Sequence, residues 1–187
     1  MLVRIALVAL ALAVAGCDGQ GGSQSAADQG PQLDAPGPEG EPAREFGAVN
    51  DAARAAAGAN VTLSVATEFA DSAGGDTKEV LTLRGANGLV VEAEITGNIS
   101  PATQVGGQTL RALLNIPVEE PQVLVYRVTA ETKANNQGVC GADSAAYVVV
   151  WEPSGPGDPQ LKVLGVAGAA PGAGGARACT LLEFRRA

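Results

Sequence analysis

Nucleophilic and metal-binding side chains are few in this chain of 187 residues, which has three cysteines and no histidine. Because Ser-His-Asp and Cys-His catalysis both need an imidazole, neither arrangement can form in it. The sequence also lacks the Ser-x-x-Lys and Gly-x-Ser-x-Gly patterns of serine nucleophiles and the Gly-x-x-x-x-Gly-Lys pattern of phosphate-binding loops. We therefore predict a protein that is not an enzyme and that uses no cofactor.

The N-terminal residues have the pattern of an export signal. Arg4 supplies a short positive segment, and about eleven apolar residues follow from Ile5 to Ala15. A membrane span needs about 20 apolar residues, so this run is too short to stay across a bilayer. Val14-Ala15-Gly16-Cys17 resembles the lipobox of bacterial lipoproteins. That resemblance implies a signal peptide of residues 1–16 and a diacylglycerol on the sulfur of Cys17.

A competing cleavage site overlaps the lipobox. Ala13-Val14-Ala15 fits the small-x-small pattern of ordinary secretory processing, which would release a soluble protein starting at Gly16. We favour lipidation because it leaves an even number of thiols in an oxidising compartment. Two or more acyl chains would then hold the protein stably on a membrane. Asp18 resembles the retention signal of enteric bacteria, so we expect the periplasmic face of the inner membrane, with the outer membrane as the alternative.

Lipidation of Cys17 would leave Cys140 and Cys179 as a pair. We predict that they form a structural disulfide, closing a loop of about 40 residues. A redox pair and a pair of metal ligands are the alternatives. Neither cysteine lies in a Cys-x-x-Cys motif, and a zinc site without histidine would need carboxylate ligands. No metal site is therefore predicted.

Large aromatic side chains are a second group of candidates, either for a ligand pocket or for a carbohydrate-stacking surface. The candidates are Tyr126, Tyr147, Trp151 and Phe184. Aromatic residues make up only 3% of the chain, so these side chains would also be the largest components of a hydrophobic core. We favour the core interpretation.

Three polar segments have compositions that could serve hydrolysis, calcium binding or anion binding. Glu119 and Glu120 could supply a glycosidase carboxylate, but neighbours in an extended chain point in different directions, which favours a solvated loop. The acidic turn 71–76 lacks the alternating ligand positions of a calcium loop. The glycine-rich segment 171–176 could bind an anion through its amides, but no lysine follows it, so we interpret it as a connection.

Charge and composition divide the chain into a linker and one domain. The net charge is −8 and the basic residues are scattered, which argues against nucleic-acid binding. Residues 17–45 combine the lipidated cysteine with a Gly-, Pro- and acid-rich segment, which predicts a flexible acidic linker with a reach of about 30 Å. Residues 46–187 are then expected to be a periplasmic β-domain.

Apolar periodicity predicts a domain that is mainly β. A short helix is expected over Ala48–Ala57, with Asn50 or Asp51 as its cap and Gly58 at its end. Asn87-Gly88 lies between two alternating runs and predicts a β-hairpin. Residues 109–116 fit a strand or a helical turn equally well. Other strands are expected over residues 61–69, 79–84, 89–95, 123–132, 145–152, 161–166 and 178–184. About seven or eight short strands favour a small antiparallel barrel or sandwich.

The C-terminal block runs from Val139-Cys140-Gly141 through Tyr147-Val148-Val149-Val150-Trp151 to Cys179. It resembles the small disulfide-bonded β-domains of proteobacterial envelope lipoproteins, some of which, such as lysozyme inhibitors, bind proteins. The resemblance transfers no activity and no functional residue. The sequence therefore predicts a lipid-anchored envelope protein whose β-domain binds an envelope protein partner or supports envelope structure. A barrel that binds a small molecule or a glycan is the alternative, followed by a hydrolase that uses carboxylates alone.

Overall fold

Eight antiparallel strands close into a β-barrel, so the predicted mainly β class is confirmed and the architecture is a barrel, not a sandwich. The computed structural model describes residues 39–69, 77–153, 157 and 159–187. The strands are β1 (Glu39–Gly40), β2 (Arg44–Ala48), β3 (Asn60–Phe69), β4 (Thr77–Gly85), β5 (Val90–Ile99), β6 (Gln104–Val105), β7 (Gln108–Thr109), β8 (Val123–Thr132), β9 (Tyr147–Trp151), β10 (Leu161–Ala167) and β11 (Arg177–Arg186). The helices are α1 (Asp51–Ala57) and α2 (Leu110–Leu114), and neither is long and apolar enough to cross a bilayer.

The barrel follows the order β3, β2, β11, β10, β9, β8, β5, β4, and the β3–β4 pairing closes it. All pairings between neighbouring strands are antiparallel. β5 has two register irregularities against β8, at Glu92/Ala93 and at Ile95/Gly97. Irregularities of this kind increase local twist and help a sheet to curl into a barrel.

The folded part starts earlier than residue 46, because residues 39–45 contribute to strands instead of to the predicted linker. Glu39–Gly40 pairs with Ala66 and Thr67, and Arg44–Ala48 pairs with both β3 and β11. The sequence gives no strand signal here because residues 40–45 consist of glycine, proline, alanine and charged residues, with no large apolar side chain. Among residues 40–48, whose burial the structure describes, only Phe46 is buried.

Helix α1 covers one end of the barrel, between β2 and β3. The predicted caps are present: Asn50 Oδ1 accepts the backbone N–H of Ala53 at 2.9 Å, and Gly58 ends the helix. Its buried face consists of alanines that join the barrel core, namely Ala53, Ala56 and Ala57. Small side chains let the helix lie close to the strand ends. A Cβ on Gly85 would stand 2.6 Å from the carbonyl oxygen of Ala57.

The β4–β5 hairpin, predicted from Asn87-Gly88, is confirmed and also holds α1 in place. Gly88 has the positive φ of 97°, whereas Asn87 does not. Asn87 instead donates its side-chain N–H to the carbonyl of Ala56 at 3.0 Å and accepts the N–H of Leu89 at 3.1 Å. The turn asparagine therefore connects the hairpin to the helix.

Two hydrophobic layers share the strands β8, β9 and β10. The first layer fills the barrel, and the second lies outside it, under the segment 100–122 that carries β6, β7 and α2. The ambiguous residues 109–116 form α2, whose cap is Thr109 and whose last residue is followed by Asn115 at φ 49°. The outer layer contains Val105, Leu110, Leu114, Ile116, Val123, Val125, Val149, Trp151, Leu164, Val166 and Ala176.

A candidate binding site at the barrel mouth

The barrel end opposite α1 contains a cavity of about 560 Å³, which we call the mouth cavity. It lies where β2, β4 and β8 begin and where β3 and β9 end. The lining residues are Gly40, Glu41, Arg44, Leu63, Val65, Thr67, Glu79, Leu81, Leu124, Tyr126, Val150 and Glu152. The barrel is thus closed at one end by a helix and hollow at the other.

The inner part of the mouth cavity is apolar. Leu63, Leu81 and Tyr126 are each only 1% exposed, and Val150 is 2% exposed. These side chains belong to the barrel core, so the cavity floor is the top of that core. Val65, a partly buried residue of β3, packs against the same core. An apolar floor of this kind favours a ligand with a hydrocarbon portion.

An ion pair crosses the outer part of the cavity. Arg44 binds Glu152 through two hydrogen bonds, Nη1 to Oε2 at 2.5 Å and Nη2 to Oε1 at 2.9 Å. The hydrogen bond from Arg44 to Glu152 raises the pKa of the guanidinium above its ordinary value. The carboxylate of Glu41 approaches the same guanidinium at 3.9 Å, and the Arg44 group lies 5.7 Å from the ring centre of Phe46.

A second polar contact lies deeper in the cavity. The hydroxyl of Tyr126 donates to Glu79 Oε1 at 2.8 Å. Burial and the neighbouring Glu79 carboxylate both raise the pKa of the Tyr126 phenol above its ordinary value. The hydroxyl therefore stays a hydrogen-bond donor at neutral pH, and the carboxylate of Glu79 is held towards the cavity.

The four aromatic candidates do not form one site. Tyr126 lines the mouth cavity, and Phe184 is buried in the barrel core. Tyr147 and Trp151 lie on the opposite face of the barrel wall, in the outer layer. Alternation along β9 separates them from the inward-facing Val148 and Val150. Tyr126, Trp151 and Phe184 are buried core residues and Tyr147 is partly buried against the outer layer, as the core interpretation expects.

The charged cavity residues escaped the sequence analysis, although a weak signal was present. Glu79 has the same strand parity as the inward-facing Leu81, and Glu152 has the same parity as Val150. Extending the period-two pattern to the first residue of the run 79–84 and to the last residue of the run 145–152 places both carboxylates inside the barrel. Arg44 has no such signal because it lies in a polar stretch without alternating apolar residues.

The disulfide between Cys140 and Cys179 lies away from the mouth cavity. The two Cα atoms are 5.0 Å apart and the χ3 angle is 82°. The bond fastens the loop after β8 to β11, beside a surface depression that also includes Asp143 and Arg177. Its position is therefore that of a structural bridge. The side chains of Asp143 and Arg177 approach each other at 3.8 Å.

Lys162 is a buried cation in the outer layer, with 4% of its surface exposed. Its ammonium donates to the carbonyl of Leu114 at 2.7 Å and lies 5.1 Å from the ring centre of Trp151. The carboxylate of Glu183 is 3.7 Å away. Burial lowers the pKa of Lys162, and Glu183 opposes that effect. A cation at the C-terminus of α2 satisfies carbonyls that the helix leaves without partners.

The remaining candidates lie in several places. Glu119 is exposed in a turn before β8, and residues 171–176 form a loop that leads into a strand, not into a helix. Cys17 and the acidic turn 71–76 lie outside the described residues. Within the described ranges, no group of three or more acidic, cysteine or histidine side chains is placed to hold a metal ion.

Comparison with protein family models, with curated proteins and with solved structures gave no match for this chain. The proposed function therefore rests on the mouth cavity, the N-terminal leader and the disulfide.

Proposed function

We propose that this chain is a lipid-anchored protein of the bacterial cell envelope whose β-barrel binds a ligand at the mouth cavity without catalysing a reaction. The observation that carries the proposal is the hollow barrel end. Its volume of about 560 Å³ falls in the range of sites for small molecules. Its apolar floor and polar rim are the combination found in such sites.

Binding is favoured over catalysis by the way the cavity carboxylates are engaged. Glu79 accepts the Tyr126 hydroxyl, and Glu152 is held in a two-bond contact with Arg44. The cavity residues include neither a thiol nor an imidazole. Recognition is the chemistry that this arrangement supports best.

The location in the proposal follows from the leader and the bridge. Val14-Ala15-Gly16-Cys17 resembles a lipobox, and the Cys140–Cys179 disulfide is of the kind that persists in oxidising compartments. Cys17 would carry the lipid, and Asp18 favours the periplasmic face of the inner membrane over the outer membrane. The domain would then sample the periplasm close to the bilayer.

An envelope protein partner is a second candidate, supported by two exposed apolar side chains, one of which lines the cavity. Val118 is 80% exposed, and Leu124 is 36% exposed on the cavity edge. Two such side chains are fewer than a protein interface core usually buries. This favours a ligand, or one partner side chain, that enters the cavity.

Blocking the cavity tests the proposed site. Thr67→Trp would place an indole in the mouth, whereas Thr82→Trp places one on the opposite face of β4. The full chain would be purified from native membranes and analysed by native mass spectrometry, with and without added envelope extract. We expect a bound species in the wild type and in Thr82→Trp that is lost in Thr67→Trp. Equal occupancy in all three proteins would contradict a site at the mouth.

A further inference from the structure

We infer that the mouth cavity recognises an alkylammonium group, with the hydrocarbon stem on the cavity floor and the cationic head among the rim carboxylates. This inference rests on the proposed function and adds the chemical class of the ligand. It follows from the charges that line the cavity, from the partners those charges already have, and from the depth of the apolar floor.

The cavity lining has an excess of negative charge. Three carboxylates face it, from Glu41, Glu79 and Glu152, against the single guanidinium of Arg44. In a partly enclosed site, opposite charges interact more strongly than in bulk water because the effective dielectric constant is lower. A cationic ligand is therefore attracted, and an anionic ligand is repelled.

The existing contacts leave two of these carboxylates with capacity for another donor. Glu152 is engaged by both terminal nitrogens of Arg44. Glu79 accepts the Tyr126 hydroxyl on one oxygen. Glu41 lies 3.9 Å from the Arg44 guanidinium through one oxygen, and its side chain is 70% exposed. An ionised carboxylate has about four acceptor positions, so Glu79 and Glu41 can receive the N–H groups of an ammonium.

Arg44 does not offer an equivalent site for an anion. A carboxylate or phosphate ligand would have to replace Glu152, and that exchange would leave a partly buried Glu152 without its cation. Such an unpaired charge carries a desolvation penalty. The same pair therefore fixes the rim and excludes ligands of negative charge.

The apolar floor of the cavity indicates that the ligand also has a hydrocarbon stem. Leu63, Leu81 and Val150 lie below the carboxylates and are almost fully buried. A straight hydrocarbon stem can contact them while its head stays at the rim, as long amphipathic side chains do elsewhere in proteins. A free aliphatic amine and a lysine side chain on a peptide both have this chemistry.

Three probes of equal chain length test the head group: hexylamine, hexanol and hexanoate. Their affinities for the full-length protein in detergent would be measured by calorimetry, with the amide shifts of cavity residues as the site-specific signal. We expect hexylamine to bind at least about tenfold more tightly than hexanol, and hexanoate to bind most weakly. A tenfold difference corresponds to about 1.4 kcal/mol. Hexanol or hexanoate binding as tightly as hexylamine, or no binding of hexylamine, would overturn the inference.

Two substitutions test the named carboxylates. Glu79→Gln keeps an acceptor for Tyr126 and removes the charge, and we expect it to weaken hexylamine binding by about tenfold. Glu119→Gln, an exposed position outside the cavity lining, is the matched control and should leave the affinity unchanged. Glu152→Gln should release Arg44 and increase hexanoate binding. Unchanged amine affinity in Glu79→Gln, together with unchanged hexanoate affinity in Glu152→Gln, would contradict the assignment.

The source of the amine and the proposed function are tested separately. An acetylated and amidated Gly-Lys-Gly peptide presents the same ammonium on a peptide backbone, so tighter binding of the peptide than of hexylamine would assign the head group to a protein partner. If all three six-carbon probes bound equally and Thr67→Trp blocked them, the mouth would still be a binding site, but the preference for an ammonium would be refuted.

Discussion

Arg44 and Glu152 are joined by a pair of side-chain hydrogen bonds across the barrel mouth, although two strands, β11 and β10, separate β2 from β9 in the sheet order. The two side chains are 29% and 33% exposed, so the pair is neither fully solvated nor fully buried. The contact links opposite parts of the rim without a backbone hydrogen bond. It therefore joins two non-adjacent strands at the cavity opening.

A double-mutant cycle with Arg44→Met and Glu152→Gln measures what this link contributes. We expect a coupling free energy of about 1 kcal/mol in urea unfolding, at the upper end for solvated pairs because the geometry is bidentate. The Asp51–Arg54 pair in α1 is the control, since its side chains are 99% and 52% exposed. Its coupling should be about 0.3 kcal/mol. Equal couplings would show that the Arg44–Glu152 contact adds nothing beyond a surface ion pair.

Removal of the Cys140–Cys179 bridge should lower the free energy of unfolding by about 4 kcal/mol in the chain-entropy description, because the bond closes a loop across a sequence separation of 39 residues. The measurement compares urea unfolding of the double variant Cys140→Ser/Cys179→Ser with its parent, both carrying Cys17→Ser so that no third thiol interferes. Thiol counting on the denatured, unreduced parent should find no free cysteine. Two reactive thiols would show that the bond does not form in the cell.

Gly85→Ala should destabilise the protein by about 2 kcal/mol, because the new Cβ would stand 2.6 Å from the carbonyl oxygen of Ala57 and 2.8 Å from its Cα. Helix α1 would have to move away from the hairpin. Gly174→Ala is the control, since nothing lies within 4 Å of its added Cβ. That variant should stay within about 0.5 kcal/mol of the wild type. Thermal unfolding of both variants decides between these outcomes, and a neutral Gly85→Ala would mean that α1 can shift freely.

Lys162 gives the protein a stability that rises with pH. Burial holds the pKa of this ammonium below its ordinary value of 10.5. Between the folded and unfolded pKa values the unfolded state binds more protons, so unfolding becomes less favourable as pH rises through that window. The free energy of unfolding of the wild type relative to Lys162→Met should therefore increase as the pH rises towards 10.5, the ordinary pKa of this ammonium. A difference that is constant or falls over this range would contradict the sign.

Cys17→Ser should abolish incorporation of a palmitate analogue and release the protein from membranes, because a thioether cannot form on serine. Asp18→Ser is the companion variant. In membrane fractionation it should keep its lipid and move from the inner to the outer membrane. Undiminished labelling of Cys17→Ser would refute lipidation at this residue, and an outer-membrane location of both the wild type and Asp18→Ser would refute the retention signal.

Local signals in the sequence were sufficient for most strands and for α1. The capping side chain of Asn50, the stop at Gly58 and the Asn87-Gly88 turn act within a few residues, so they can be identified without knowledge of the fold. The Tyr147–Trp151 run is nearly all apolar because both faces of β9 are buried in the folded domain. Val148 and Val150 face the barrel core, while Val149 and Trp151 face the outer layer, so neither side of β9 can be polar.

The mouth could not be predicted because it depends on long-range closure. The β3–β4 pairing is local, but the β2–β11 pairing joins residues near the two ends of the described domain, and it brings Arg44 to the barrel end where Glu152 lies. No sequence pattern links those two residues. Polar residues at the ends of strands also resemble linker and loop residues in composition. For this reason the sequence predicts a domain start at residue 46, later than the first strand.

Trp151 is the only tryptophan of the chain, and it lies in the outer layer beside the ammonium of Lys162. Its fluorescence therefore reports on the segment 100–122 and not on the barrel interior, whereas far-ultraviolet circular dichroism is dominated by the strands. If that segment separates from an intact barrel, the emission would red-shift at a lower urea concentration than the loss of dichroism. The fluorescence of Trp151 can therefore distinguish the unfolding of the segment 100–122 from the unfolding of the barrel.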